Sequence, residues 1–151
     1  MAQKVVNEFQ ALGIPGTLST DALKSVVSYE LGSAGYIGRA YTSTEGVVSM
    51  GGTGDFAGIL INPHNHAVYD NLDATLEIPS GSVGSFAKSG YILVYLSTVS
   101  KPGDKVYFTT ADGKLGAGTA STGQTQIAGA KVTKGGSAGS LVEISLIPQV
   151  V

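Results

Sequence analysis

Glycine divides the chain into short blocks, and this spacing restricts the fold more than any other feature of the sequence. The 151 residues include 22 glycines, and a turn signal containing glycine recurs roughly every ten residues. Between the turns, apolar and small residues alternate over short stretches, as is typical of half-buried strands. No long segment has the period of an amphipathic helix. We therefore predict an all-β fold, either a small antiparallel β-barrel or a sandwich.

The composition fits a packed domain with an uncharged surface. Hydrophobic residues make up 42% of the chain and charged residues 13%, whereas soluble globular proteins average about 25% charged residues. A chain of this length buries about two-thirds of the surface of its unfolded state. A neutral surface suits a protein that stays pressed against its partners, but it also suits any compact β domain.

The charge pattern argues against nucleic acid as a partner. Nine basic and eleven acidic residues give a net charge of −2. The basic residues are scattered, and Lys101 and Lys105 have Asp104 between them. Without a basic stripe, binding to a phosphate backbone is not expected. There is no cysteine, and the N-terminus lacks the apolar run of a secretory signal. No segment has the roughly 18 apolar residues of a membrane span, so we expect synthesis in a cytoplasm and no membrane partner.

The first 20 residues differ from the rest of the chain. Their apolar residues include Val5, Val6, Phe9, Leu12 and Ile14. Gly13, Pro15 and Gly16 exclude a stable helix through the end of this segment. We interpret residues 1–20 as an extended N-terminal arm and residues 21–151 as a single β domain. From the pattern alone, an N-terminal strand inside the domain is an equally good interpretation.

The remaining chain contains a series of predicted strands. They cover residues 36–41, 46–50, 56–61, 67–69, 74–78, 83–86, 91–96, 105–110, 114–115, 127–133 and 141–147. The strand at 56–61 is nearly all apolar and is expected to be buried on both faces. Asp112-Gly113 predicts a tight hairpin. Residues 20–31 have room for one or two helical turns, although the β-branched Val26 and Val27 disfavour a helix.

A histidine pair is the one pattern that resembles a metal site. In Asn62-Pro63-His64-Asn65-His66, the two imidazoles would lie on the same face of a strand and form half of a site. The pattern is similar to a cupin motif, because Gly58 precedes it and Asp70 follows near the position of the cupin glutamate.

The similarity to cupins then ends. Pro79-Ser80-Gly81 is similar to the start of the second cupin motif, but Gly84 lies where that motif requires a histidine. The two motifs are also closer together in this chain than in cupins. A complete site would need a carboxylate from Asp70, Asp73 or Glu77. We therefore favour a turn with ordinary loop histidines and expect no metal.

No motif for catalysis is complete. Gly81-Ser82-Val83-Gly84 misses the spacing of a nucleophile elbow. The glycine-rich segment 51–54 lacks the helix and the Lys-Ser/Thr pair of a phosphate loop. Asp70 and Asp73 lie in a polar loop without an acid–base partner. We predict that the chain is not an enzyme and has neither catalytic residues nor a cofactor.

Tyrosines are the candidate contact residues of the domain. Tyr91 and Tyr95 share one face of the strand at 91–96, and Tyr36 lies in another predicted strand. Packing of these rings in the core, with the hydroxyl groups at its rim, is the ordinary expectation. Alternatively, Tyr36, Tyr91 and Tyr95 form an interface, or the platform of a carbohydrate- or receptor-binding module.

Four segments carry a resemblance to a known family. They are Asn-Glu-Phe-Gln-Ala-Leu-Gly-Ile-Pro-Gly at 7–16, Gly-Ile-Leu-Ile-Asn-Pro-His at 58–64, the Pro/Gly turn and apolar strand within 76–96, and Lys-Pro-Gly-Asp-Lys-Val-Tyr at 101–107 with the turn at Asp112-Gly113. In order and spacing they resemble the structural cement (capsid decoration) proteins of tailed bacteriophages. The resemblance covers nearly the whole chain and is weakest at residues 20–33.

The resemblance implies a non-enzymatic protein on the outer surface of the virion capsid. Such a protein binds at joints between subunits of the major capsid protein, stabilises the expanded shell and forms a homo-oligomer, either a trimer or a dimer. In that setting, Phe9, Leu12, Ile14 and Pro15 are the candidate capsid-binding residues of the arm. Full burial of an apolar side chain contributes about 1.5–3 kcal/mol.

Overall fold

The computed structural model describes residues 15–18, 25–61 and 77–146. All regular elements within these ranges are strands. They are β1 (Ser25–Glu30), β2 (Gly35–Tyr36), β3 (Ala40–Thr44), β4 (Val47–Met50), β5 (Asp55–Leu60), β6 (Glu77–Ile78), β7 (Val83–Tyr95), β8 (Lys105–Thr109), β9 (Leu115–Ala117), β10 (Gln124–Lys134) and β11 (Leu141–Leu146). The predicted all-β class is therefore confirmed. In the described ranges there is no helix that could cross a membrane.

Most strands belong to one antiparallel sheet. Its order is β4-β3-β5-β7-β11-β10-β8-β9, with β1 also paired to β7, while β2 and β6 form a separate two-stranded ribbon. The edge strand β9 lies beside the end of the central strand β7, where Leu115 of β9 forms an isolated parallel bridge with Leu96. The N–H of Ser97 donates to the carbonyl oxygen of Leu115 at 2.9 Å. The sheet thus bends back on itself, but the described strands form no closed ladder.

Strand β7 is the centre of the fold. It runs unbroken for 13 residues, although the sequence predicts two separate strands at 83–86 and 91–96. The first part pairs with β1 and β5, and the second part pairs with β11. Gly90, with a φ of 121°, lies where the partners change. Glycine at this position therefore allows one strand to exchange neighbours, and it does not end the strand.

Strand β1 corrects the expectation of helical turns for residues 25–30, while residues 20–24 of that segment lie outside the described residues. Residues Ser25–Glu30 form a strand that pairs with β7. The β-branched Val26 and Val27 favour extended backbone, and the ring of Tyr29 lies 5.7 Å from that of Phe86. Local helix propensity is therefore outweighed by pairing with β7.

Two apolar cores lie on opposite faces of the sheet at β5 and β7. The first contains Ile59 and Ala87 together with apolar residues of β8, β10 and β11. The second contains Leu60 and Phe86 with side chains such as Tyr41 and Val48. Neighbouring residues of β5 thus point into different cores, which confirms that this apolar strand is buried on both faces.

Two glycines allow the two parts of the sheet to meet closely. The N–H of Gly51 donates to the carbonyl oxygen of Ala40 at 2.9 Å, and the N–H of Ala40 donates to that of Gly113 at 2.9 Å. Gly51 and Gly113 have φ values of 67° and 69°. We call this contact the glycine junction. It joins β3 and β4 to the β8–β9 hairpin, whose turn lies at the predicted Asp112-Gly113.

Burial of Tyr41 makes the fold sensitive to alkaline pH. Its hydroxyl oxygen accepts a hydrogen bond from the N–H of Tyr36 at 2.8 Å, and its ring lies 5.1 Å from that of Phe86. Burial raises the pKa of Tyr41 above the ordinary value of 10.0. The folded state therefore favours the neutral phenol. This preference stabilises the fold fully below pH 10 and is lost as the pH rises through the folded pKa.

We expect Tyr41→Phe to reduce the alkaline loss of stability. The variant loses the acceptor for the N–H of Tyr36, which lowers its stability equally at all pH values, but it has no buried phenol to ionise. Urea unfolding between about pH 9 and pH 11 should show a shallower decline for Tyr41→Phe than for the wild type. Tyr95→Phe, at an exposed tyrosine, should keep the wild-type decline. Equal slopes for all three proteins would contradict the burial of the Tyr41 hydroxyl.

Candidate functional site

The described part of the predicted arm lies against β7. Pro15 is buried, and its Cβ would be 3.3 Å from a Cβ added at Gly38. The N–H of Gly16 donates to the carbonyl oxygen of Leu93 at 2.7 Å, and the N–H of Leu93 donates to the carbonyl oxygen of Thr17 at 3.1 Å. Residues 15–18 are thus fixed to the centre of the sheet. The other arm candidates, Phe9, Leu12 and Ile14, lie outside the described residues.

The candidate metal ligands also lie outside the described part of the chain. His64, His66, Asp70 and Asp73 belong to this group, as does the side chain of Glu77. Among the residues that the structure describes, no group of three or more histidine, cysteine or acidic side chains is placed to hold a metal ion.

Two of the three candidate tyrosines lie at one groove. Tyr36 and Tyr95 line a cavity of about 280 Å³, which we call the Tyr36–Tyr95 groove. Its walls are β2 with the β2–β3 turn, the end of β7 and the start of β9, and its apolar side chains include Ile37, Leu96 and Leu115. The parallel bridge between Leu96 and Leu115 brings two of these walls together.

The charged residues of the groove are both cations. The guanidinium carbon of Arg39 lies 4.5 Å from the ring centroid of Tyr36. Its Nη1 donates to the carbonyl oxygen of Asp112 at 3.3 Å and to the sulfur of Met50 at 3.7 Å. The Nζ of Lys114 lies 3.4 Å from the Asp112 carboxylate, and the Lys114 side chain is 58% exposed. The groove is therefore locally positive, although the chain has a net charge of −2.

Tyr91 lies away from this groove on the outer face of β7. Tyr91 and Tyr95 are 41% and 54% exposed, and their partners on β11 are Ser145 and Leu141. Alternation along the strand places both tyrosines on the same face, as the sequence indicates. Of the described aromatic candidates, Tyr36 and Tyr95 thus share a site and Tyr91 does not line it.

Sequence reasoning did not identify Arg39 and Lys114. They are far apart in the chain and meet only because the β8–β9 turn reaches the β2–β3 turn, where Arg39 contacts Asp112. The local sequence around either residue does not predict such a contact. The arrangement offers apolar walls, two phenols and two cations, which suits binding of an anionic group with an apolar neighbour.

Comparison with solved structures shows which proteins share this fold. The structure is similar to a chain in the capsid of Myoviridae phage XM1, with 19% sequence identity over 97% of this chain and 98% of that chain and a TM-score of 0.72. It is also similar to the N base of the head fiber gp8.5 of bacteriophage phi29, with 12% identity over 85% of this chain and 98% of that chain and a TM-score of 0.52. These likenesses show a shared fold.

The family follows from the sequence. The family model of the structural cement protein (E217 gp24/Pam3 gp6) matches residues 1–147, and the chain therefore belongs to the structural cement protein family. No curated protein matches it. The resemblance seen in the four segments is confirmed, and the chain is a phage structural protein associated with the capsid of the virion.

Proposed function

We propose that this chain is a non-enzymatic head cement protein. It binds the outer surface of the expanded capsid at joints between subunits of the major capsid protein, and it stabilises the shell there as a homo-oligomer, either a trimer or a dimer. The observation that supports the proposal is the family match over residues 1–147. The protein is made in the cytoplasm of the bacterial host and carries no catalytic group or cofactor in this role.

Multivalent binding makes modest contacts sufficient. When one copy of an oligomer is bound, its neighbours meet the lattice at a high effective concentration, and the overall affinity can exceed that of one copy by about 10²–10⁴-fold. This requires a domain that keeps its contact surfaces in fixed positions. The continuous β7, which pairs with β1, β5 and β11, supplies such a scaffold.

The arm adds contacts from a point anchored on β7. Burial of Phe9, Leu12 and Ile14 together would contribute about 5–9 kcal/mol. Ordering one residue costs about 1–2 kcal/mol of backbone entropy, so these three side chains cannot offset the ordering of residues 1–14. Pro15 restricts the backbone of the residue before it, and its position on β7 fixes one end of the arm before the arm binds. We infer that the arm adds to the contacts of the domain and does not bind alone.

Deleting residues 1–14 should abolish tight decoration without unfolding the domain. The deletion leaves the hydrogen bonds between residues 16–17 and Leu93 in place. We expect a cooperative unfolding transition, as for the full chain, and a more than tenfold loss of affinity for expanded heads. A full-length variant, Phe9→Ser with Leu12→Ser and Ile14→Ser, separates the loss of apolar anchors from the loss of length. Wild-type decoration by both variants would exclude the arm from the mechanism.

Co-sedimentation with phage heads tests the proposed function. Purified protein is mixed with expanded heads that lack it, and bound copies are counted against free concentration. We expect saturable binding at a copy number that matches the lattice joints, and weaker binding to unexpanded heads. Folded protein that sediments with neither kind of head would overturn the proposal.

A carbohydrate- or receptor-binding role is the second candidate. It is favoured by the position of Tyr36 and Tyr95 at one groove. It is disfavoured by Arg39, because the guanidinium occupies one face of the Tyr36 ring, and sugars stack on open aromatic faces. Saturable binding on a glycan array, lost in Tyr95→Ala, would support this role, and silence on the array would exclude it.

A further inference from the structure

The Tyr36–Tyr95 groove has room for a few side chains of a partner. Its volume of about 280 Å³ lies at the lower end of the range of small-molecule sites, about 300–1,000 Å³. The apolar contribution of Ile37, Leu96 and Leu115 favours a segment that places at least one apolar side chain in the groove. A few side chains of a polypeptide segment that runs across the groove fit both its small volume and its apolar walls.

The two cations of the groove differ in how firmly they are held. Arg39 is fixed by the ring of Tyr36, the carbonyl oxygen of Asp112 and the sulfur of Met50. Among the described residues, the Lys114 ammonium has one ion-pair partner, the carboxylate of Asp112, whose side chain is 34% exposed. Exposed ion pairs contribute little to stability, so Lys114 can exchange this partner for another carboxylate at little cost. Arg39 is therefore a fixed part of the groove wall, and Lys114 is the cation that can pair with a carboxylate of a partner.

The charge of the groove argues against nucleic acid as its partner and favours an acidic protein segment. Arg39, Lys114 and Asp112 together carry one net positive charge. Tight binding to nucleic acid commonly neutralises about 6–10 phosphates, which these two cations cannot do. One or two carboxylates on a protein segment match them well, and a neighbouring apolar residue matches Leu115 and Tyr95.

We infer that the Tyr36–Tyr95 groove receives an acidic, extended segment of the capsid partner. A carboxylate of that segment pairs with Lys114, and an apolar side chain beside it packs against Tyr95 and Leu115. An extended segment suits an open groove, because alternate side chains face the walls while the others face outward. This inference rests on the proposed cement function and names the chemistry of the partner at this surface.

Charge reversal at Lys114 tests the inference against a closely matched control. Lys114→Glu and Lys101→Glu change the net charge equally, and each lysine lies in an exposed turn beside an aspartate, Asp112 or Asp104. Lys101 does not line the groove. In co-sedimentation with expanded heads, we expect Lys114→Glu to bind more than about tenfold more weakly, because like charges then face each other. Lys101→Glu should bind as the wild type does.

The outcomes separate this inference from the proposed function. Failure of the wild type to bind heads overturns the cement role and this inference with it. Binding of the wild type and Lys114→Glu with equal affinity leaves the cement role intact and overturns the groove assignment. An equal loss in both variants would show a general charge effect and would also overturn it.

Photo-crosslinking identifies the segment directly. Tyr95 is replaced by the photoreactive aromatic p-benzoylphenylalanine, which keeps a large ring at this exposed position. After irradiation on expanded heads, mass spectrometry locates the crosslinked peptide. We expect a segment of the capsid protein that contains aspartate or glutamate within two residues of the crosslink. A crosslink to a segment without acidic residues, to a second copy of this chain, or to none would overturn the inference.

Discussion

Replacing Phe86 by alanine is expected to lower the free energy of unfolding by about 3–5 kcal/mol. Phe86 is fully buried in the first part of β7, which pairs with β1 and β5. Its ring meets those of Tyr41 and Tyr29, with centroids 5.1 Å and 5.7 Å away. Alanine would remove both aromatic contacts and leave a cavity between β1, β3 and β7. Because domains are stable by only about 5–15 kcal/mol, this is a large share of the total.

Val83→Ala provides the control for this loss. Val83 lies on the same strand but is 60% exposed, and substitutions at such positions usually change stability by less than about 0.5 kcal/mol. Urea unfolding of both variants measures the difference. If Phe86→Ala destabilised the protein no more than Val83→Ala, the second core would not have the packing described above.

Replacing Gly51 by alanine is expected to destabilise the fold by about 2–5 kcal/mol. A Cβ at Gly51 would lie 2.5 Å from the carbonyl oxygen of Thr110 and 3.0 Å from that of Thr109. Both are backbone atoms, so relief requires the β8–β9 hairpin to move away. Left-handed backbone adds about 1–2 kcal/mol for a residue with a Cβ, and overpacking adds about 1–3 kcal/mol.

Gly46→Ala separates these two causes. Gly46 also has a positive φ, 85°, but an added Cβ there would meet nothing within 4 Å. This variant should therefore lose only the backbone contribution, about 1–2 kcal/mol. Thermal or urea unfolding gives both values, and their difference measures the crowding at the glycine junction. Equal losses would show that the junction has room for a methyl group and would contradict its close packing.

The sequence predicted the strands well where local pattern and final burial agree. Residues 56–61 read as a strand buried on both faces, and Ile59 and Leu60 indeed lie in different cores. The prediction from sequence failed where pairing between distant strands determines the structure. Gly90 reads as a break, but β7 continues through it because β11 replaces β1 as its partner. Residues 25–30 permitted helical turns, and pairing with β7 made them a strand.

The candidate site was predictable only in part. Alternation along β7 indicated that Tyr91 and Tyr95 share a face. The groove that joins Tyr36 to Tyr95 depends on the position of the β2–β6 ribbon and on the bridge between Leu96 and Leu115. Arg39 and Lys114 meet through a contact between two distant turns, which leaves no trace in either local sequence. The family resemblance was therefore more informative about function than any single motif.

Thermal unfolding of expanded heads, with and without the bound protein, tests the cement role most directly. A ligand that binds only the intact state stabilises it by about 2.7 kcal/mol per site when its free concentration is 100 times the Kd. We predict that the calorimetric transition of the heads rises as copies bind and stops rising when the lattice joints are filled. Heads that carry the full complement of protein and still melt at the temperature of undecorated heads would contradict the cement role.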